Sequence, residues 1–176
     1  MATEKGVWDI QDVRDKQLAG EWDYTGEKKL WTWGLTEAGS LGLNAGGDPG
    51  NQKRSSPTQI PGTTWSQISS TSYKSGGAIK TDGTLWLWGR NYMGMLGQNQ
   101  ASGNIYRSSP TQVPGTWLRC ASGTLGAQIQ QAWQKTDGSI WFAGGGTSPY
   151  NNYGFTKRSS PTQIPGTVIP SISHFV

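Results

Sequence analysis

The chain has 176 residues, of which 33% are hydrophobic, 15% charged and 11% aromatic, and its formal net charge at pH 7 is +4. This length fits one domain, and the low charge together with the many aromatic residues argues against a disordered chain. Basic residues are spread along the sequence, so we expect no nucleic-acid partner. Apolar runs are too short for a membrane span and the N-terminus lacks a signal-peptide pattern, so we expect no membrane insertion.

The first predicted element is a short α-helix near the N-terminus. Asp9 is a suitable N-cap for a helix over residues 10–19, and Gly20 is a suitable stop. The candidate docking residues of this segment are Trp8, Ile10, Val13, Leu18 and Trp22. Because a helix must bury its apolar stripe, residues 1–24 either cap the first repeat or dock the chain onto a larger assembly.

From residue 25 onward the sequence repeats. The nine residues that start at Arg54 (RSSPTQIPG) return at Arg107 and at Arg158 with one conservative change, at offsets of 53 and 51 residues. A period of this size is typical of stacked repeats. The predicted units are residues 25–62, 63–115 and 116–166, followed by part of a strand at 167–176.

A second marker keeps the same rhythm as the first. An apolar strand that ends in glycine contains Trp31, Trp86 and Trp141, at steps of 55 residues. Asp-Gly pairs precede the second and third copies, at Asp82 and Asp137, and Asp-Gly between apolar runs is a strong hairpin signal. Each unit is therefore expected to contain a β-hairpin.

Four short strands are predicted in each unit. In the second unit they cover residues 64–69, 77–80, 84–89 and 111–113. The last strand is flanked by proline, which cannot donate to a ladder, so it is expected at a sheet edge with the Trp-x-Trp strand inside the sheet. The predicted fold class is all-β: a propeller-like repeat protein of about three four-stranded blades, preceded by one short N-terminal α-helix.

The repeats resemble those of the regulator of chromosome condensation family. The second unit supplies the family's three features, at residues 82–89 (DGTLWLWG), at Leu96-Gly97 and at residues 110–113 (PTQV), and the first unit has counterparts of the Trp-Gly strand and the other two. The third unit departs from the pattern, with Ala143 in place of the tryptophan and no Leu-Gly after the marker strand. The resemblance covers residues 29–168 and implies a β-propeller. Members that act in nucleotide exchange or chromatin binding would have about seven blades, so those activities are not carried over.

The small number of units predicts assembly. Closed propellers usually have roughly four to eight blades, and an open arc leaves strand edges exposed. We therefore expect a homo-oligomer, with a trimer as the first hypothesis. Residues 167–176 align with the opening strand of the second unit, so a C-terminal strand would complete the blade begun near Lys29, within one chain or between chains.

The N-terminal segment carries a second resemblance. Residues 6–14 (GVWDIQDVR) and 19–22 (AGEW) are similar to the N-terminal segment of structural proteins of tailed bacteriophages, especially marine and cyanobacterial ones. This implies a virion structural protein, in the tail, a fibre or spike, or the capsid surface, that is made in the host cytoplasm and docks onto other virion proteins. Its propeller would then serve assembly or host-surface attachment. The alternative is a cellular protein-protein interaction module of the chromosome-condensation-regulator repeat type.

No catalytic group, metal site or cofactor site is predicted, so we expect a non-enzymatic protein without cofactors. His174, the only histidine, stands close to the C-terminus, and Cys120, the only cysteine, is expected to be a buried apolar residue. One cysteine and one histidine do not make a usual zinc site. Asp82 and Asp137 occupy the same place in two turns and are explained by turn chemistry.

Aromatic residues divide into core and loop positions. The tryptophans expected to be core rings are Trp31, Trp33, Trp86, Trp88 and Trp141, with alternate residues on the same side of a strand. Long polar loops connect the repeats, and loops on a fixed scaffold often carry recognition. The candidate ligand-facing aromatics there are Tyr92, Tyr106, Tyr150 and Tyr153, which would contact a host-surface glycan or protein.

Overall fold

The computed structural model describes residues 27–44, 52–69, 74–100, 105–121, 129–145 and 157–166. Within these ranges the chain forms only β-strands and one short 3-10 helix, so the predicted all-β class is confirmed. The strands are β1 (Trp31–Thr36), β2 (Gln52–Gln59), β3 (Trp65–Ser69), β4 (Ser75–Lys80), β5 (Leu85–Arg90), β6 (Tyr106–Val113), β7 (Trp117–Ala121), β8 (Ile129–Lys135), β9 (Ile140–Gly145) and β10 (Arg158–Gln163). The 3-10 helix is Tyr92–Gly94. The helix predicted over residues 10–19 lies outside the described residues.

The strands form three antiparallel sheets. Two are four-stranded blades, with the orders β3-β4-β5-β6 and β10-β9-β8-β7, and β1 pairs with β2 in the first unit. The four strands predicted for the second unit are all present, the Pro-flanked strand lies at an edge, and the Trp-x-Trp strand β5 lies inside its blade. In the first unit, the described residues supply the counterparts of β5 and β6 only.

Both Asp-Gly turns form as the sequence predicts. The Asp82 carboxylate accepts hydrogen bonds from the Thr84 hydroxyl at 2.6 Å and the Thr84 backbone N–H at 2.9 Å. Asp137 accepts the same pair from Ser139 at 2.5 and 2.8 Å. These bonds, the side-chain one foremost, lower the pKa of both carboxyl groups below the ordinary value of 3.8. Stabilisation of the two turns therefore explains why Asp82 and Asp137 stand at these positions.

The last strand of each unit contains a Ser-Ser-Pro bulge. In the second blade Gly89 pairs with Arg107 and Leu87 with Thr111, so residues 108–110 lie opposite Trp88 alone. The first and third units have the same irregularity at equivalent residues. The repeated proline therefore stands in a bulge on an edge strand, where its missing N–H costs no ladder bond.

The apolar core lies between the blades. One cluster, between the second and third blades, contains Ile79, Leu85, Leu87, Leu96, Val113, Trp117, Trp133 and Ala143. The other, between the first unit and the second blade, contains Leu30, Ile60, Trp65, Ala78 and Trp88. Strand β5 serves both clusters, because Leu85 and Leu87 point to one side of the sheet and Trp86 and Trp88 to the other. A blade thus buries its faces against its neighbours, as expected of stacked repeats.

The third blade places its large core ring on a different strand. In the second blade Trp88 of β5 packs over Gly76 of β4, where an added Cβ would lie 2.3 Å from the indole nitrogen. In the third blade Ala143 takes the position of Trp88, and Trp133 of β8 takes the position of Ala78. This exchange keeps an indole in each core and explains why the third repeat lacks the marker tryptophan.

Substitution at Gly76 tests this packing. Gly76→Ala is expected to lower the free energy of unfolding by about 1–3 kcal/mol, because the new methyl group meets the Trp88 ring. In a Trp88→Ala background the same change is expected to cost much less, since the ring is gone. Urea unfolding of the four proteins gives both values, and equal costs in the two backgrounds would contradict the packing described.

Candidate interaction surface

Two loops of one sequence pattern connect neighbouring blades. They cover residues 39–44 (GSLGLN), after β1, and residues 94–99 (GMLGQN), after β5, and share the pattern Gly-x-Leu-Gly-x-Asn. We call them latch loops, because each binds the Ser-Ser-Pro bulge of the following blade. They contain the Leu-Gly pair that marks the repeat, at residues 41–42 and 96–97.

Each latch loop ends in an asparagine that bonds to the next blade. The Asn44 backbone N–H donates to the Ser108 carbonyl oxygen at 2.7 Å, and the Ser109 hydroxyl donates to Asn44 Oδ1 at 3.0 Å. Asn99 makes the same two contacts with the bulge at residues 159–161, at 2.7 and 2.9 Å. Both asparagines have a left-handed φ, 54° and 53°, which this residue type tolerates better than most. The repeated serines therefore serve the junction between blades.

The first glycine of each latch loop allows the close approach. A Cβ on Gly39 would lie 2.8 Å from Ser108 Cα, and one on Gly94 would lie 2.7 Å from Ser159 Cα. Both glycines also have a positive φ, 75° and 81°. Any side chain here would push the bulge of the next blade away and strain the loop.

The second glycine of each latch loop receives an indole ring. Gly42 stands against Trp88, whose Nε1–H donates to the Ser40 carbonyl oxygen at 3.0 Å. At the next junction Gly97 stands against the Trp133 ring. A complete junction therefore consists of a latch loop on one blade, and a Ser-Ser-Pro bulge and an indole on the next.

The first unit carries a bulge and an indole that no described residue covers. Residues 55–57 of β2 are exposed, and Trp33, the counterpart of Trp88, is 63% exposed. At the alternate positions of β1 on either side of Trp33, Trp31 is 49% and Leu35 is 47% exposed. Within the described part of the chain β1 pairs only with β2. We call Trp31, Trp33, Leu35 and residues 55–57 the open face.

This exposure corrects the expectation that all marker tryptophans are core rings. Trp88 is buried and Trp86 and Trp141 are half-buried, as expected, but Trp31 and Trp33 are exposed. The side of a blade that bears these rings is buried by the preceding blade. In the ranges that the structure describes, no blade precedes the first unit.

A cleft of about 500 Å³ lies beside the junction of the second and third blades. The Lys135 ammonium group lies 3.8 Å from the Trp141 ring centroid and 5.3 Å from that of Trp117, so this cation is held by two aromatic rings. On the other wall, Arg107 Nε donates to Gln98 Oε1 at 3.0 Å. Lys135 and Arg107 therefore both make contacts with other residues of the repeats.

Two of the four tyrosines predicted to face a ligand are described. Tyr92 begins the 3-10 helix, half-buried, with the Arg90 guanidinium group 5.3 Å from its ring centroid. Tyr106 begins β6, half-buried, and pairs with Arg90. The structure thus places the Tyr92 ring beside Arg90 and pairs Tyr106 with Arg90 in the sheet, and ligand binding there stays a prediction. The other predicted site residues lie outside the described ranges: Tyr150, Tyr153, Trp8, Ile10, Val13, Leu18 and Trp22.

The described residues offer few reactive groups. Among them, no three His, Cys, Asp or Glu side chains meet as a metal site would require. No helix in the same part of the chain is long and apolar enough to cross a membrane. Cys120 of β7 is half-buried and packs against the core cluster between the second and third blades. Burial raises the pKa of its thiol to about 12, although a hydrogen bond with Ser69 lowers it. This thiol stays protonated at neutral pH.

Solved β-propellers of the RCC1 type have the same fold. Human WBSCR16 matches with a TM-score of 0.60 at 21% sequence identity, and Prp20p from Saccharomyces cerevisiae with 0.62 at 20%. A structure of Kap60 bound to yeast RCC1 (Prp20) matches with 0.64 at 20%. The matches cover 79% to 80% of this chain but only 33% to 34% of those chains, so this chain spans about a third of their length.

Identity at this level shows the fold alone. No protein-family model and no curated protein matches the sequence. The propeller fold predicted from the repeats is confirmed, and the chain is a partial RCC1-like β-propeller.

Serine variants test the latch. Ser160→Ala removes the hydroxyl that bonds to Asn99 and is expected to lower the free energy of unfolding by about 0.5–1.5 kcal/mol. Ser56→Ala, at the same repeat position on the open face, is the matched control and is expected to change it by less than about 0.5 kcal/mol. Urea unfolding measures both, and equal effects would show that the latch does not stabilise the junction.

Proposed function

We propose that this partial RCC1-like propeller is a non-enzymatic protein-interaction module that binds a partner protein through its open face. The observation that carries the proposal is the exposure of Trp31, Trp33 and Leu35 at alternate positions of β1. Tryptophan is enriched among the residues that dominate binding energy at protein interfaces, and contiguous exposed apolar side chains mark interaction sites.

The pairing of strand β1 also supports this proposal. In the described part of the chain β1 has one paired edge, to β2, and its counterpart β5 is paired on both edges. A free edge offers backbone N–H and C=O groups to another polypeptide. A partner at β1 would thus gain ladder hydrogen bonds together with apolar contact.

The similar structures support the class of function. Prp20p has been described with its binding properties to Gsp1p and histones, and yeast RCC1 (Prp20) with Kap60 bound. The match covers only 33% to 34% of those chains, so their partners are not transferred. What they support is a propeller of this type that binds other proteins.

The non-enzymatic part of the proposal rests on the chemistry of the described groups. The carboxylates of Asp82 and Asp137 accept hydrogen bonds inside two turns, and the Cys120 thiol is held protonated. A nucleophilic cysteine needs its thiolate, and burial works against it here.

The virion hypothesis rests on residues 6–22, which lie outside the described residues. The similar structures are human and yeast proteins, so a general interaction module is the better supported of the two functions. Attachment to a host surface and assembly as a homo-oligomer likewise stay predictions. Mass spectrometry of purified virions tests the hypothesis, which predicts particle-associated copies of the chain.

Partner capture tests the interaction module. The full chain and its Trp31→Ser/Trp33→Ser variant are immobilised, and bound proteins from an extract of the source cells are quantified. Because hot-spot truncation costs about 2 kcal/mol or more, we expect at least one protein to bind the variant at least about 30-fold less well. The control variant is Ile68→Ser on β3, which changes an apolar residue that is 69% exposed and belongs to the second blade.

The control distinguishes binding at the open face from nonspecific binding to exposed apolar residues. A partner that is lost with the double variant and retained with Ile68→Ser supports the proposal. A set of bound proteins that does not differ between the two variants would contradict it.

A further inference from the structure

We propose that the open face binds a latch loop, of the pattern Gly-x-Leu-Gly-x-Asn, that belongs to a propeller blade of another polypeptide. This inference rests on the proposed function and names the chemistry of the partner. Its basis is that the chain shows twice, in its own junctions, what covers this kind of surface.

The chain has one more bulge than it has latch loops. Arg-Ser-Ser-Pro occurs at Arg54, Arg107 and Arg158, and Gly-x-Leu-Gly-x-Asn occurs only at residues 39–44 and 94–99. Each latch loop covers the bulge of the blade that follows it. The bulge after Arg54 is the one left over, and its residues are exposed.

The receiving groups of the first unit are arranged as in the complete junctions. Gly34 pairs with Arg54 as Gly89 pairs with Arg107, and in each case a Ser-Ser-Pro bulge lies opposite one tryptophan. Trp33 therefore stands where Trp88 stands in the second blade. The strand register of this surface is already the one that receives a latch loop in the second blade.

Three hydrogen bonds follow from this equivalence. The asparagine of the incoming loop would donate its backbone N–H to the Ser55 carbonyl oxygen and accept from the Ser56 hydroxyl, as Asn44 does with Ser108 and Ser109. The Trp33 Nε1–H would donate to a carbonyl oxygen of the loop. The loop glycines would allow the same close approach.

A second copy of this chain does not supply the loop. Both of its latch loops bind bulges of their own chain. The first glycine of each latch loop follows Gly34 or Gly89 by five residues, whereas the corresponding stretch after Gly144, residues 149–154, has the sequence PYNNYG. This stretch lacks both the Leu-Gly pair and the pattern, so a second copy offers no further latch loop there.

Indole NMR of the full chain tests the inference. The probe is a synthetic peptide with the sequence of residues 90–101 (RNYMGMLGQNQA), and the control peptide carries Gly94→Ala, Gly97→Ala and Asn99→Ala. The probe is expected to shift the Trp33 indole N–H signal, which a Trp33→Phe variant assigns. The control peptide is expected to bind at least about ten-fold more weakly, and Ser56→Ala to weaken the probe several-fold.

A tethered version makes binding of the peptide intramolecular. Each peptide is joined to the N-terminus of the full chain by a flexible Gly-Ser linker, which raises its effective concentration to roughly millimolar. The Trp33 signal is expected to shift with the tethered probe and to keep its position with the tethered control. Absence of that difference overturns the inference.

Other outcomes are equally informative. A shift of Trp33 with protein concentration alone, together with a dimer mass in light scattering, would assign the open face to a second copy and overturn the inference. If the Trp31→Ser/Trp33→Ser variant loses a captured protein while the tethered probe leaves Trp33 unchanged, the proposed function stands and only the latch-loop inference falls.

Discussion

The burial of one indole ring between two blades is the interaction on which the rest of this structure depends. Trp33 and Trp88 occupy the same repeat position, in the same strand register and opposite the same bulge. Trp88 is 4% exposed and Trp33 is 63% exposed. Since their local structures are equivalent, the difference comes from the neighbour: a latch loop lies over Trp88 and none of the described residues lies over Trp33. Whether this tryptophan lies in the core or on the surface is therefore decided by the neighbouring blade, not by the blade to which it belongs.

The parts of a junction differ in how strictly each residue type is required. The indole moves between strands, from Trp88 in the second blade to Trp133 in the third, and the core stays filled. The first glycine of the latch loop does not vary, because Gly39 and Gly94 both have a positive φ and both touch the backbone of the bulge. A side chain can be replaced by another that reaches the same space, but a backbone-to-backbone contact leaves no such freedom.

Local patterns were enough to predict the strands, the edge position of the proline strand and the Asp-Gly turns, because each depends on a few adjacent residues. The exposure of Trp31 and Trp33 was not predictable in this way, since it depends on what precedes the unit. The latch asparagines were missed although a signal existed: Asn44 and Asn99 each stand ten residues after the glycine that ends the marker strand. The exchange between Ala143 and Trp133 needed strand register, which the repeat alignment alone did not provide.

Within the chain a latch loop is held near its bulge by covalent connection, at an effective concentration far above that of a free partner. The same few contacts made between two polypeptides would be weaker by that factor, so an external partner needs additional contact area. The open face provides it. Leu35 stands on the open face where the second blade has Arg90, and Trp31 adds a ring that is half exposed. Burial of these two side chains, at about 25 cal/mol per Å² of apolar surface removed from water, would offset the absence of a covalent connection between the loop and the bulge.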